Sequence, residues 1–345
     1  MLWVGTYRAK GGQGLYPVEI DGANLQVGAP ETGIVDASFA VWDRAAQTAY
    51  FVAEQNDGRV TSWRRDGSGW RRTGEQASGG ALPCYLALDR ERRLLAVANY
   101  GDGTIALLRI GEGGEVADLL DRARQDGSGP DRDRPAGPHA HCALFDPVDR
   151  SLLHVDLGLD RVFRYATARE RLGQPETAFE APPGSGPRHL LFHPDGRHAL
   201  LLCELSAELL LLERSGPRFA LRHAVKTCPE AEPADNLGGH LALAGDRVLV
   251  TNRGHDSLVA FAIAGGRLER GGWTRTGGKS PRHLHPVGER ILVAHEEGGS
   301  VAWLELPDRD GAAGTPETAR LPGAAFVLEV VPAERAARRD ERAIA

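Results

Sequence analysis

The chain has 345 residues, with 41 basic and 47 acidic side chains and a net charge of −6. That balance argues against a binder of nucleic-acid backbones, which carries a net basic face, while 41% hydrophobic residues provide for a core. Glycine is frequent at 43 and proline adds 21, punctuation that suits many short strands joined by tight turns.

From the N-terminus, Met1 to Tyr7 shows no basic stretch followed by an apolar core of signal-peptide length. The longest apolar segment, His198 to Leu212, is interrupted by Glu204 and Glu208; it is too short and too charged to cross a bilayer. The cysteines, Cys84, Cys142, Cys203 and Cys228, form no C-x-x-C pair. A cytoplasmic protein with reduced thiols, no membrane contact and no nucleic-acid partner is the expectation.

The organisation is repetitive. Tyr85 to Tyr100, His189 to Glu204 and His240 to Asn252 each read as a strand, a polar turn, a second strand and a polar residue. A third strand follows, as in Thr104 to Arg109 and Ser257 to Ala262. Anchoring on the polar end of the second strand gives Gly5, Glu54, Asn99, Asp156, Glu204, Asn252 and His295, with gaps of 43 to 57 residues. Seven units of that size use nearly the whole chain, and blades of roughly 40–50 residues around a channel make a β-propeller. The expected fold is therefore all-β: a seven-bladed propeller of four-stranded blades in one domain, residues 1–332. The first unit starts at its second strand, Leu2 to Gly5, so Ala325 to Val331 is expected to supply the missing one. Beyond Pro332 a charged tail, residues 333–345, reads as a short helix or a frayed end. The loop Gln125 to Gly137 is long enough to cover the channel mouth.

In such a blade the start of the first strand and the end of the second lie at the same edge. First-strand starts carry His139, His141, Arg188, His189, His240, Arg282 and His283; second-strand ends carry Asn99, Tyr100, Asp156, Glu204, Arg253, His255, His295 and Glu296. Seven of the 12 histidines fall in these windows. Glu204 lies in an apolar run, so its carboxylate must be paired or face the channel. Arginine forks suit carboxylate or phosphate, although Arg188 and Arg253 would also serve as ion pairs between blades. His139 and His141, two apart, read as same-face neighbours; a metal pair or turn caps are the other roles open to them. Aligning the turns puts His141 level with Arg188, and His189 and His283 one residue off that face, packed between strands. Asn99 and Asp156 would serve as caps on backbone groups.

Taken in order, Val4 to Tyr7, Val97 to Tyr100, Gly137 to His141, Val155 to Gly158, Gly186 to His189, Cys203 to Leu205, Asn252 to Ser257 and Pro281 to His283 resemble the lactonase family of seven-bladed propellers, of the 6-phosphogluconolactonase type and related to carboxy-muconate lactonising enzyme. The resemblance implies chemistry on a lactone without a metal or other cofactor. By matching position it points to a histidine of the 138–141 stretch, Arg188, Glu204 and Arg253. Gly239, where the family often has Glu, and His295, near its usual Asn, depart from the pattern. The expected activity is hydrolysis of a sugar lactone, 6-phosphogluconolactone foremost. Glu204 or His141 would accept the water's proton, Arg188 would face the oxyanion, and Arg253 with Arg282 would hold an anionic group. His139, Asn99 and His240 complete the candidate substrate contacts. The rival readings are a cycloisomerase closing a lactone on an unsaturated dicarboxylate and a non-enzymatic binding scaffold. A calcium-dependent lactonase would need hard oxygen ligands, where these windows offer His and Arg.

Overall fold

The computed structural model of the protein describes residues 1–22, 24–67, 69–129, 137–229 and 235–331. These form seven four-stranded antiparallel sheets. Blade 1 combines Ala324–Glu329 with Leu2–Thr6, Leu15–Asp21 and Asn24–Val27. Blades 2 to 7 then follow in chain order, with first strands Ala40–Asp43, Pro83–Asp89, Ala140–Phe145, Pro187–Phe192, Leu237–Ala244 and Pro281–Val287. The missing first strand of blade 1 is supplied as the sequence predicts: Leu2 pairs with Glu329 and Gly5 with Phe326. Of the remaining two expectations, the loop from Gln125 falls in part (130–136), and the charged tail wholly, outside the described residues.

The core is distributed. Second strands such as Leu94–Asn99 and Thr48–Ala53 are buried along their whole length, because both faces of each sheet pack against a neighbour; such strands lose polar alternation. Seven hydrophobic clusters result, one per interface between adjacent blades.

One local irregularity, repeated round the ring, positions the site. In blades 3, 4, 5 and 7 the ladder slips by one residue at the start of the first strand, between Pro83 and Tyr85, Ala140 and Cys142, Pro187 and His189, and Pro281 and His283. Blade 6 has a wider slip, between Gly238 and Leu241. A bulge sets two residues opposite one and breaks the alternation of faces. Cys84, His141, Arg188, Gly239 and Arg282 occupy the bulged step. The residue leading into the bulge is left-handed: Gly186 and Gly323 at φ +60° and +68°, but also Leu82 and Ser280 at +51° and +58°, a conformation that costs a residue with a Cβ.

Candidate active site

A second repeated feature fixes the rim of the mouth. Glu204 N donates to Gly186 O, Glu296 N to Ser280 O, Glu54 N to Asp36 O, Tyr100 N to Leu82 O and Tyr7 N to Gly323 O. Together with Arg253, paired to Leu237, these residues ring one end of the channel. The repeat anchors therefore divide into two registers. Glu54 and Glu204 belong to the rim, whereas Asn99, Asp156, Asn252 and His295 lie one step deeper and are fully buried. Those deeper residues clip neighbouring elements. Asn99 Nδ2 donates to Ser78 O and Thr104 O at 3.1 Å each, and Asn252 Nδ2 donates to Thr227 O at 2.7 Å. His295 Nε2 lies 3.0 Å from Thr276 Oγ1, with Gly278 packed so closely on its ring that a Cβ there would sit 2.4 Å away. Asn99, a candidate substrate contact by sequence, is thus committed to backbone groups inside the sheet and does not reach the mouth.

On blades 4, 5 and 6 the mouth holds one connected cluster. Arg188 Nη1 donates to Glu204 Oε2 at 2.7 Å and also contacts His141 Nε2, while its Nε donates to Gly239 O. Arg253 Nη2 reaches the same Glu204 oxygen at 2.8 Å and donates to Gly238 O at 3.0 Å. All four side chains are nearly buried. Burial, then the neighbouring charge of Arg253, lowers Arg188 to about 10, so it stays cationic at neutral pH. Burial and the charge of Arg188 hold His141 well below the ordinary imidazole range, so its ring is neutral. Arg253 Nε is buried without a hydrogen-bond partner among the described residues. Gly239 admits no side chain: a Cβ would lie 2.4 Å from Thr251 Oγ1 and 2.7 Å from Pro281 O.

On blades 7, 1 and 2 stands a second cluster. Arg282 lies between Glu296, at 3.4 Å, and Glu54, at 3.8 Å, with its guanidinium 5.2 Å from the centroid of the Tyr7 ring. Tyr7 donates its hydroxyl to Glu54 Oε2 at 2.7 Å, and Lys10 pairs with Glu296 at 2.7 Å. Burial works against the charge of Arg282, but Tyr7, Glu296 and Glu54 outweigh it and raise the group above its ordinary value. His139 lies between these halves, stacked 4.6 Å from Tyr100 with Nδ1 2.8 Å from Tyr100 O.

Beneath the mouth the bulge has a consequence that strand periodicity conceals. His189 and His283, expected between strands, line up with His240 across the channel, with ring centroids 5.0 Å and 3.8 Å apart. His240 therefore stands in this deeper row and Gly239, not His240, is level with Arg188. Phe39, Tyr85 and Phe326 close the other side of the row.

The buried imidazoles together set a stability prediction. His141, His154, His189, His240, His283 and His295 are all pushed below the ordinary imidazole range by burial. Their unfolded-state value is about 6.5, so below that pH the unfolded chain binds more protons and folding loses up to about 1.4 kcal/mol per group per pH unit. Asp156, raised to about 6 by burial, opposes this with one proton. Urea midpoints should therefore fall steeply between pH 7 and pH 5, and a His189→Gln/His240→Gln variant should show a shallower fall.

Residues 1–328 match the family described as Lactonase, 7-bladed beta-propeller. The chain belongs to this lactonase family. It is 28% identical to the 6-phosphogluconolactonase of Bacillus subtilis over 324 residues, 90% of this chain and 92% of that one. It is 31% identical to an uncharacterised Lactococcus lactis protein over 90% of its own length and 92% of the relative's. The solved structure of a periplasmic gluconolactonase from Pseudomonas aeruginosa superposes with TM-score 0.87 at 28% identity, covering 96% of this chain and 98% of that one. The protein is a lactone-hydrolysing enzyme. No helix among the described residues is long and apolar enough to cross a membrane.

Among the described residues of this lactonase mouth, each carboxylate named above faces a guanidinium or an ammonium, unlike the bare oxygen cage a hard cation takes. Among the described residues, donor atoms converge closely enough for a metal only at His193, Asp195 and His198. These lie on the turn at the far end of blade 5. Reading the sequence placed Glu54, Tyr100 and Glu296 at strand ends facing the mouth but gave them no role there, and it missed Tyr7 and Lys10. Glu54, Tyr100 and Glu296 hold the strand-end step that Glu204 holds.

Proposed function

We propose that this lactonase opens a six-membered sugar lactone at the mouth of blades 4 to 6, with 6-phosphogluconolactone, named for the Bacillus relative, as the leading substrate. The observation that carries the reading is the bridge Arg188–Glu204–Arg253, in which one carboxylate oxygen holds two guanidiniums at 2.7 Å and 2.8 Å beside neutral His141. Water adds to the lactone carbonyl and its proton passes to Glu204. Arg188 stabilises the oxyanion. The ring C–O bond then breaks, the ring oxygen takes the proton back from Glu204, and the hydroxy acid loses its carboxyl proton to solvent and leaves as its carboxylate. Glu204 suits the base role because a carboxylate keeps further lone pairs when one is taken, whereas the single acceptor of a neutral imidazole is already turned to Arg188 in His141. His141 positions Arg188.

Arg253, whose buried Nε has no hydrogen-bond partner among the described residues, is the cation for a phosphate. Hydrolysis of 6-phosphogluconolactone, assayed with chelator present, tests the reading. Activity should persist with chelator, and Arg253→Ala should raise KM for the phosphorylated lactone more than for glucono-1,5-lactone. Complete loss with chelator would sink the metal-free route. A cycloisomerase acting on a dicarboxylate would need a cation for each carboxylate, and here, beyond Arg253, Arg188 is given to the oxyanion while Arg282 and Lys10 face Glu54 and Glu296. For location we propose the cytoplasm, supported by four cysteines without a disulfide; cell fractionation decides between this and the periplasm.

A further inference from the structure

The cluster on blades 7, 1 and 2 takes no part in the steps above, yet it spends five polar side chains on the opposite half of the same mouth. Cys84, at the bulged step of blade 3, lies within electrostatic reach of Glu54, Arg188 and Arg282, so the two halves border one space. Arg282 is not available as an anion holder, because Glu54 and Glu296 flank it and Tyr7 packs against its guanidinium. It serves instead as the buttress that holds two carboxylates in place. Glu54 takes both of its contacts, from Tyr7 and from Arg282, on Oε2. No donor among the described residues is hydrogen-bonded to Oε1, and the side chain keeps 15% of its surface exposed. A carboxylate fixed in this way, with an oxygen open to a donor, matches a hydroxyl rather than an anion.

We propose that Glu54, oriented by Tyr7 and Arg282 and seconded by Glu296, is a specificity-determining subsite that reads the ring hydroxyls of the lactone. The proposal rests on the hydrolase reading and adds a direction to it. The polyol lies toward blades 7, 1 and 2, and any phosphate lies toward Arg253 on blade 6. Sites that hydrogen-bond a substrate hydroxyl discriminate strongly against the analogue lacking it, because the polar group is then left unpaired.

The test compares kcat/KM for glucono-1,5-lactone, which carries ring hydroxyls, with that for δ-valerolactone, which carries none. In Glu54→Ala the value for glucono-1,5-lactone should fall by about 10- to 100-fold, the range of one charge-assisted hydrogen bond, while that for δ-valerolactone stays within about twofold of wild type. An equal fall for both lactones, or no change for either, overturns the subsite. Tyr7→Phe removes a single hydroxyl and keeps the ring under Arg282, so it stands in if Glu54→Ala does not fold. Its loss should be smaller and again confined to glucono-1,5-lactone, and a loss shared by both lactones overturns the proposal. Wild type that hydrolyses both lactones with equal acceleration over their uncatalysed rates removes the subsite and leaves the hydrolase reading standing. Wild type active on 6-phosphogluconolactone but on neither of these two overturns the subsite and leaves the hydrolase reading standing, and wild type inactive on all three removes both.

Discussion

Glu204→Gln should lower kcat by about 10²–10⁴-fold, the usual worth of a general base, with a much smaller change in KM. The substitution keeps the shape of the side chain and one acceptor oxygen, but it removes the charge and the basicity whose effect is felt in the transition state. It also leaves Arg188 and Arg253 without the carboxylate that both now share at 2.7 Å and 2.8 Å. Breaking a buried ion pair from one side costs up to about 3–5 kcal/mol, so urea unfolding should accompany the kinetics and kcat should be referred to folded enzyme. Full turnover by the folded variant would transfer the base role to His141.

Arg188→Lys should cost about 10²–10³-fold in kcat, the loss seen on removing one oxyanion donor, even though the charge is retained. Arg188 spans Gly239 O, His141 Nε2 and Glu204 Oε2 at once. A compact ammonium cannot reproduce that planar fork, and whichever partner it abandons is left buried with its polar group unpaired. The two variants are expected to be far from additive, because each removes one end of the same hydrogen-bonded unit. The double variant should be little slower than the worse single one; a product of the two losses would show that the residues act separately.

The spacing of Gly5, Glu54, Asn99, Asp156, Glu204, Asn252 and His295 was enough to count blades, because each blade must spend a similar length of chain on four strands. The orphan strand Leu2–Thr6 was enough to predict its partner, because an unpaired edge beside a ring demands one. Arg188, Glu204, Arg253 and His141 were legible because ionisable groups recurred at strand ends where a turn alone would not need them. Three things escaped that reading. His189, His240 and His283 were misplaced because a bulge breaks the period-two rule on which facing is inferred, and nothing in Pro187–His189 or Pro281–His283 announces one. Asn99 and His295 looked like mouth residues because one register step separates a rim position from a buried clip. The clamp of Tyr7, Glu54, Arg282 and Glu296 was hidden because its members are up to 289 residues apart in the chain. The sequence by itself determined the all-β ring, its seven blades, its closure and the edge at which chemistry gathers, since these follow from local strand period and chain length. Only the tertiary structure decided which charges face each other across blades, and so which arginines are left to meet a substrate, because pairing depends on distances that ring closure alone sets.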